Sequence, residues 1–267
     1  MKKNGVSVVL VAILVLSLNM VVSGETMTAR DIFDKSFEVG KLAGSEAVLT
    51  LTIVNRRGNE RVRKMAMVTK LVDQGRTEKT LMRFLAPADV KGTGFLTYDY
   101  EDKDDDMWLF MPALRKSRRI VSDEKSKSFM GSEFSYADMA PPTLNDFNFE
   151  NLGEEAVDGV PCWKIQMVPK SDGIASDNGF SKRVSLIGKE DFMVRKSVYY
   201  DLDGKLEKEL TVFDIKEVDP DNHKYMTMHM EMVNKLNNRK SVIKIEKVVF
   251  NPNISDEYFS TRYLERF

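Results

Sequence analysis

Alternation of apolar and polar side chains with a period of two recurs along most of this chain, and it constrains the fold more than any other feature. Ala47, Leu49, Leu51 and Ile53 alternate with Val48, Thr50 and Thr52. Successive side chains of a strand point to opposite faces, so the run reads as a half-buried strand. Arg56-Arg57-Gly58-Asn59 is a turn, and residues 62–69 return as the second strand of a hairpin. Further strand-like runs cover 77–85, 94–98, 107–111, 114–121, 147–152, 162–168, 181–187, 193–199, 206–218, 225–233 and 240–250. Turn chemistry separates them, as in Val157-Asp158-Gly159 and Leu236-Asn237-Asn238. The expected class is mainly β (α+β): a curved antiparallel sheet of eleven or more strands carrying few helices.

Two segments break the pattern. Thr28 is placed to cap a helix from Ala29 to about Val39, with Asp31 near its positive end and Ile32, Phe33 and Phe37 on its apolar stripe. A short helical insertion is expected around residues 134–139. At the N-terminus, Lys2 and Lys3 precede an uncharged apolar run from Val6 to Leu16 and then small residues ending at Ser23-Gly24. That is the layout of a secretory signal peptide, residues 1–24, cleaved before Glu25. No cysteine adjoins the cleavage site, so lipid anchoring is not expected, and 25–267 reads as one domain without a Pro/Gly/Ser-rich linker.

Taking Lys2 and Lys3 from 40 basic residues against 41 acidic ones leaves a mature net charge of about −3, which implies neither nucleic acid nor an anionic membrane as a bulk partner. Cys162 is the single cysteine, so no internal disulfide forms; it reads as a small buried hydrophobe. The acidic run 101–106 lacks the ligand spacing of a calcium loop and reads as a solvated hairpin tip. With two scattered histidines and one cysteine, no metal and no cofactor are expected.

One strand carries unusual wording. Met226, Met228, Met230 and Met232 alternate with Thr227, His229 and Glu231, which puts four thioethers on one face. Met65 with Met67, and Met107 with Met111, repeat the theme. Methionine is unbranched and polarizable, so it fills gaps in cores and also refits itself to irregular apolar partners. Both uses, core filling and lipid binding, are compatible with this ladder.

The stretch from Trp108 to Asp138, WLFMPALRKSRRIVSDEKSKSFMGSEFSYAD, is the most specific in the chain. An aromatic strand ends in Leu-x-x-Pro-Ala-Leu, an Arg-Arg-Ile strand follows, and Phe129, Gly131, Ser132, Phe134, Tyr136 and Asp138 form a Phe-Met-Gly-Ser-x-Phe-Ser-Tyr-x-Asp signature. Ser132 lacks the flanking glycines of a hydrolase elbow, since Met130 and Phe134 occupy those places. Arg115, Lys116, Arg118 and Arg119 read as strand residues, with Lys116 and Arg118 on one face and Arg115 and Arg119 on the other. They are candidates for contact with an anionic headgroup or a partner, or for pairing with Asp104–Asp106, Asp123 or Glu124.

This block, together with the closing Asn251-Pro252-Asn253-Ile254 and the aromatic tail after Glu257, resembles the LolA-like outer membrane lipoprotein-sorting proteins. The resemblance implies an unclosed β-barrel with helices on its concave side. It also implies a periplasmic carrier of acylated lipoprotein or lipid cargo, an inner-membrane exporter of ABC or RND type, and an outer-membrane acceptor. On this reading the candidate lining is Leu49, Leu51, Ile53, Met65, Met67, Trp108, Phe110, Met226, Met228, Met230 and Met232, under a lid helix bearing Ile32, Phe33 and Phe37, and a monomer is expected. Two alternatives stand beside it: a phospholipase-like enzyme, whose base would have to be His223 or His229, and a non-catalytic cell-envelope surface protein.

Overall fold

The computed structural model describes residues 27–266, and the expected signal segment lies outside the described residues. Helix α1 (Ala29–Glu38) starts at a reciprocal cap: the Asp31 amide donates to the Thr28 hydroxyl, and the Thr28 amide donates to the Asp31 carboxylate. The strands are β1 (Gly44–Val54), β2 (Glu60–Val72), β3 (Thr77–Ala86), β4 (Gly94–Tyr100), β5 (Asp106–Met111), β6 (Lys116–Ile120), β7 (Phe147–Val157), β8 (Val160–Pro169), β9 (Lys182–Gly188), β10 (Val194–Tyr200), β11 (Leu206–Asp219), β12 (Lys224–Asn234) and β13 (Arg239–Phe250). Short helices α2 (Asp172–Asn178) and α3 (Thr261–Leu264) complete the set.

All thirteen strands lie in one antiparallel sheet, ordered β6-β5-β4-β3-β2-β1-β13-β12-β11-β10-β9-β8-β7. Two meanders are therefore joined back to back by the pairing of β1 with β13, from Ser45 opposite Phe250 to Val54 opposite Lys240. The sheet stays open, since β6 and β7 stand at its two ends. Both ends carry features that discourage further pairing. β6 is five residues long and charged, and β7 bears Glu150, Glu154 and Glu155 around an irregularity at Asn151–Glu154, where Gly153 has φ +105°.

One face of the sheet curves around the main core. Leu49, Leu51 and Ile53 of β1, Met65 of β2, Phe84 of β3, Phe95 of β4, Ile165 of β8 and Ile187 of β9 are buried there against Ile32 and Phe33 of α1. Phe33 meets Phe149 of β7 at 5.1 Å between ring centroids, which seats the helix on that edge of the sheet. The far end of α1 is fixed to β12, where the Tyr225 amide donates to the Val39 carbonyl and Lys224 Nζ to that of Glu38.

The opposite face holds a smaller core made with the C-terminal tail. Leu81, Leu96 and Phe110 pack with Ile254, Phe259 and Leu264, while Val68, Tyr98 and Trp108 border them. Trp108 and Phe110 therefore do not line the concave side as expected from the sequence; Met107 and Leu109, the intervening residues of β5, do. Both faces of β5 are buried, one by the insertion and one by the tail, so its apolar character did not distinguish them. Gly94 lets the tail approach closely: a Cβ there would lie 2.5 Å from Leu264 Cδ1, so that buried side chain would have to shift.

The segment between β6 and β7 is not the helix expected near residues 134–139. It is a chain of single 3-10 turns, among them Phe129–Gly131 and Ala137–Met139. Likewise the acidic run is not wholly solvated: residues 101–104 are exposed, but Asp105 turns inward, its side chain 8% exposed and 3.6 Å from Lys125. There it joins Glu78 and Asp99 at one end of the concave face. Burial, with only Lys41 opposing it, pushes the Glu78 carboxyl up to about 7. Burial, then the neighbouring Asp105 and Glu78 charges, push Asp99 up to about 8.

Raised carboxyl values make the folded state hold protons that the unfolded chain has released. The stability these groups contribute is complete below about pH 4 and is lost as pH rises through 7 to 8. Asp99→Asn is expected to melt close to the parent at pH 5 and higher at pH 9, by on the order of 2 kcal/mol or roughly 5 °C. Thermal melts across this range check it, and parallel curves for the two proteins would contradict it.

Candidate functional site

Four methionines at alternate positions of β12 must share one face, and in the structure that face is the concave one: Met226, Met228, Met230 and Met232 all pack against the main core. Met226, Met228 and Met230 are half-buried, and Met232 is fully buried at 1% exposed. Met230 and Met232 border a cavity of about 300 Å³ between the sheet and its covering segments. Its walls are Tyr199 of β10, Leu210 of β11, Ile243 of β13, and Phe180 and Arg183 at the start of β9. Phe37 of α1 and Phe134 with residues 137–142 of the insertion form its roof.

Other residues proposed from the sequence lie elsewhere in the same core. Leu49, Leu51, Ile53 and Met65 are buried to 3% exposure or less, and Met67 packs beside them; none borders the cavity as it stands. Ile32 and Phe33 are fully buried under α1, and of the three lid residues Phe37 alone reaches the cavity wall.

The signature Phe129 to Asp138 forms the plug of the concave side. Its tip is a tight loop in which the Phe129 amide donates to the Phe134 carbonyl at 2.7 Å, with Met130 and Gly131 both in the left-handed region at φ +52° and +79°. Gly131 is the residue type such a backbone favours. Phe129 packs between Phe95 and Tyr136, at 5.2 and 5.6 Å between centroids. The Ser132 hydroxyl is spent on this loop, donating to the Phe129 carbonyl at 2.8 Å and receiving the Phe134 amide. Asp138 accepts from both the amide and the hydroxyl of Ser135 at 2.8 Å, and it also borders the cavity.

A latch holds this loop to the sheet. Arg63 of β2 donates to the Met130 carbonyl, and Arg239 of β13 donates to that of Gly131 at 2.9 Å. Arg239 Nε also lies 2.9 Å from Glu133, which is 7% exposed and whose amide donates to Ser241 Oγ. No sequence motif marked Arg63, Arg239 or Ser241, because their meaning depends on a loop about a hundred residues away along the chain from two of them.

The basic residues after Pro112 are arranged differently from the expectation. Arg115 is not in the strand: it occupies a left-handed turn at φ +48° after Pro112–Leu114, and β6 begins at Lys116. Arg118 pairs with Glu124 at 2.6 Å and Arg119 with Asp106. These two cations are thus committed to neighbouring carboxylates, whereas Arg115 and Lys116 are exposed at the open edge. His223 is bound to Glu217 on the surface, and His229 stacks on the exposed Phe213 at 4.9 Å, so neither hydrogen-bonds to Ser132 among the described residues.

Arg183 was not singled out in the sequence, although its alternation with Ser185 and the buried Ile187 places it on the concave face. Its guanidinium lies 5.6 Å from the Phe33 ring centroid and 5.7 Å from that of Tyr199. Burial, then the nearby Asp138 charge, push the Tyr199 phenol up to about 12, so it stays neutral. Burial likewise pushes the Cys162 thiol up, as suits its packing role.

A family model described as "Uncharacterized protein" matches residues 76–266. No curated protein sequence matches this chain. Among solved structures, a protein described as an outer membrane lipoprotein-sorting protein domain from Vibrio parahaemolyticus is 26% identical with a TM-score of 0.81, over 89% of this chain and 98% of that one. A DUF1329 family protein from Desulfovibrio piger is 28% identical with a TM-score of 0.81, over 88% and 97%. A LolA superfamily protein from Nitrosomonas europaea, 16% identical with a TM-score of 0.68 over 89% and 100%, shares the fold. With a family match over most of its length and this architecture, the chain belongs to the LolA-like outer membrane lipoprotein-sorting protein family.

Proposed function

We propose that this protein is a periplasmic carrier that shields acyl chains of lipoproteins or other lipids on the concave face of its open sheet and moves them toward the outer membrane. The observation that carries this reading is the methionine ladder of β12, two rungs of which face the roofed apolar cavity. A lipoprotein-sorting name attached to a structure with 26% identity and nearly complete coverage supports it. Among the described residues no helix is long and apolar enough to cross a membrane. Export would follow cleavage of residues 1–24, with an ABC or RND exporter as donor, an outer-membrane acceptor as receiver, and a monomer as the travelling form.

Magnitudes set the mechanism. At about 0.8 kcal/mol per methylene, exposing a chain of some fifteen carbons to water costs on the order of 12 kcal/mol, which the carrier must offset with apolar contacts. The 300 Å³ cavity lies at the lower limit of ordinary ligand pockets, roughly 300–1,000 Å³. A long chain therefore enters by displacing α1 and the Phe129–Phe134 plug, and methionines refit to the space opened. Displacing the plug means breaking its polar contacts with Arg63, Arg239 and Ser241 and withdrawing Phe129 and Phe134 from the core, places that the incoming hydrocarbon takes.

Two outcomes follow. Met228→Asp combined with Met230→Asp is expected to be secreted and folded yet to retain no lipid, measured by lipid extraction of the purified protein; full retention by the folded double variant would remove the ladder from the site. Arg239→Ala leaves the buried Glu133 without its half-exposed cation, and is expected to cost about 1–3 kcal/mol and to speed release of a bound fluorescent fatty acid severalfold. Unchanged release, with unchanged hydrogen exchange at residues 129–136, would show that the latch does not gate the cavity.

A further inference from the structure

The cavity contains one permanent charge that its surroundings leave incompletely matched. Arg183 Nε is shielded from solvent and has no hydrogen-bond partner. Nη2 faces the Met167 sulfur at 3.9 Å, a weak acceptor. Tyr199 supplies a hydrogen-bonding neighbour, and with Phe33 a flanking ring. No carboxylate lies within ion-pair distance of Arg183 among the described residues, in contrast to Arg118, Arg119, Arg195 and Arg239. The acid sharing its cavity, Asp138, is already engaged by Ser135.

An arginine cannot relieve this situation by losing its proton. Arg183 is half-buried, and the part of it that is shielded, Nε–H, is the part left without a partner, which is costly. The Phe33 and Tyr199 rings at 5.6 and 5.7 Å flank the guanidinium without supplying an anion, and a guanidinium's forked N–H groups are suited to a carboxylate or phosphate through two parallel hydrogen bonds.

We propose that the cavity takes an anionic amphiphile, its carboxylate or phosphate received by Arg183 and its hydrocarbon laid along Met230 and Met232. The inference rests on the carrier reading and narrows it. An acyl chain joined to a protein through ester or amide bonds offers no charge at this position, whereas a fatty acid or a phosphate-bearing lipid does. Arg183 then selects among apolar cargoes, and the methionines hold whatever chain follows the headgroup.

Binding of four probes to the mature chain tests this: a fluorescent fatty acid and its methyl ester, and a lysophosphatidic acid and the matching monoacylglycerol, the last two read by displacement. At least one anionic probe is expected to bind about tenfold or more tightly than its uncharged counterpart, and the pair with the larger gap identifies carboxylate or phosphate as the recognised group. In Arg183→Gln the gap is expected to close while the uncharged probes bind as before, which also shows that the variant is folded. Equal binding of charged and uncharged probes by the parent protein would overturn the inference and leave the carrier reading in place. Equal weakening of all four by Arg183→Gln would assign Arg183 to packing only, and binding of none would overturn both readings.

Discussion

An antiparallel sheet that curls without closing has a concave face that must be covered, and here that requirement organises the molecule. β1 and β13 join the two meanders, so every strand but β6 and β7 has two neighbours, and the apolar residues of the inner face converge on one space. A closed barrel would fill such a space with its own side chains. This sheet fills it with segments brought from elsewhere in the chain: α1 from the N-terminal side, and the Phe129–Asp138 insertion from between its two edge strands. Covering segments that are separate from the wall can leave it, which makes the arrangement suitable for a cargo that must enter and depart.

The two sides of the sheet are built to different standards. On the outer side, Leu264 closes against Gly94 with no room for an added methyl group, and Arg83 fixes the tail by donating to the Tyr263 and Leu264 carbonyls. On the inner side, the plug combines buried aromatics with polar contacts at the loop tip, and next to it lies a cavity lined by methionine and aromatic groups. Flexible side chains lose some packing precision in exchange for tolerance of different shapes. The acidic cluster Glu78, Asp99 and Asp105 closes one end of the same face.

Much of this architecture is legible in the sequence because its physical signal is local. Period-two alternation predicts twelve of the thirteen strands to within about three residues, the exception being β7, which continues past 152 to Val157, and the Thr28–Asp31 spacing predicts the start of α1. Side choice was harder wherever both faces are apolar: nothing within Trp108-Leu109-Phe110 says that the C-terminal tail covers one face and the plug the other. The basic run predicts strand at Arg115, but the backbone after Pro112 turns through the left-handed region there. The plug reads as helical from its composition, yet its Ser and Asp side chains satisfy the backbone locally and break it into single turns. No sequence signal marks Arg183, since a charge in a strand usually faces solvent; its importance comes from Phe33 and Tyr199, which only the fold brings beside it.

Whether the concave face holds lipid is tested most directly by native mass spectrometry with lipid extraction. The mature protein should be purified from a periplasmic fraction without detergent. A near-stoichiometric adduct whose mass and extract identify an acylated molecule is the result expected. A protein that carries no lipid and acquires none when offered amphiphiles would contradict the account, leaving the cavity as a packing defect beneath a permanently seated plug.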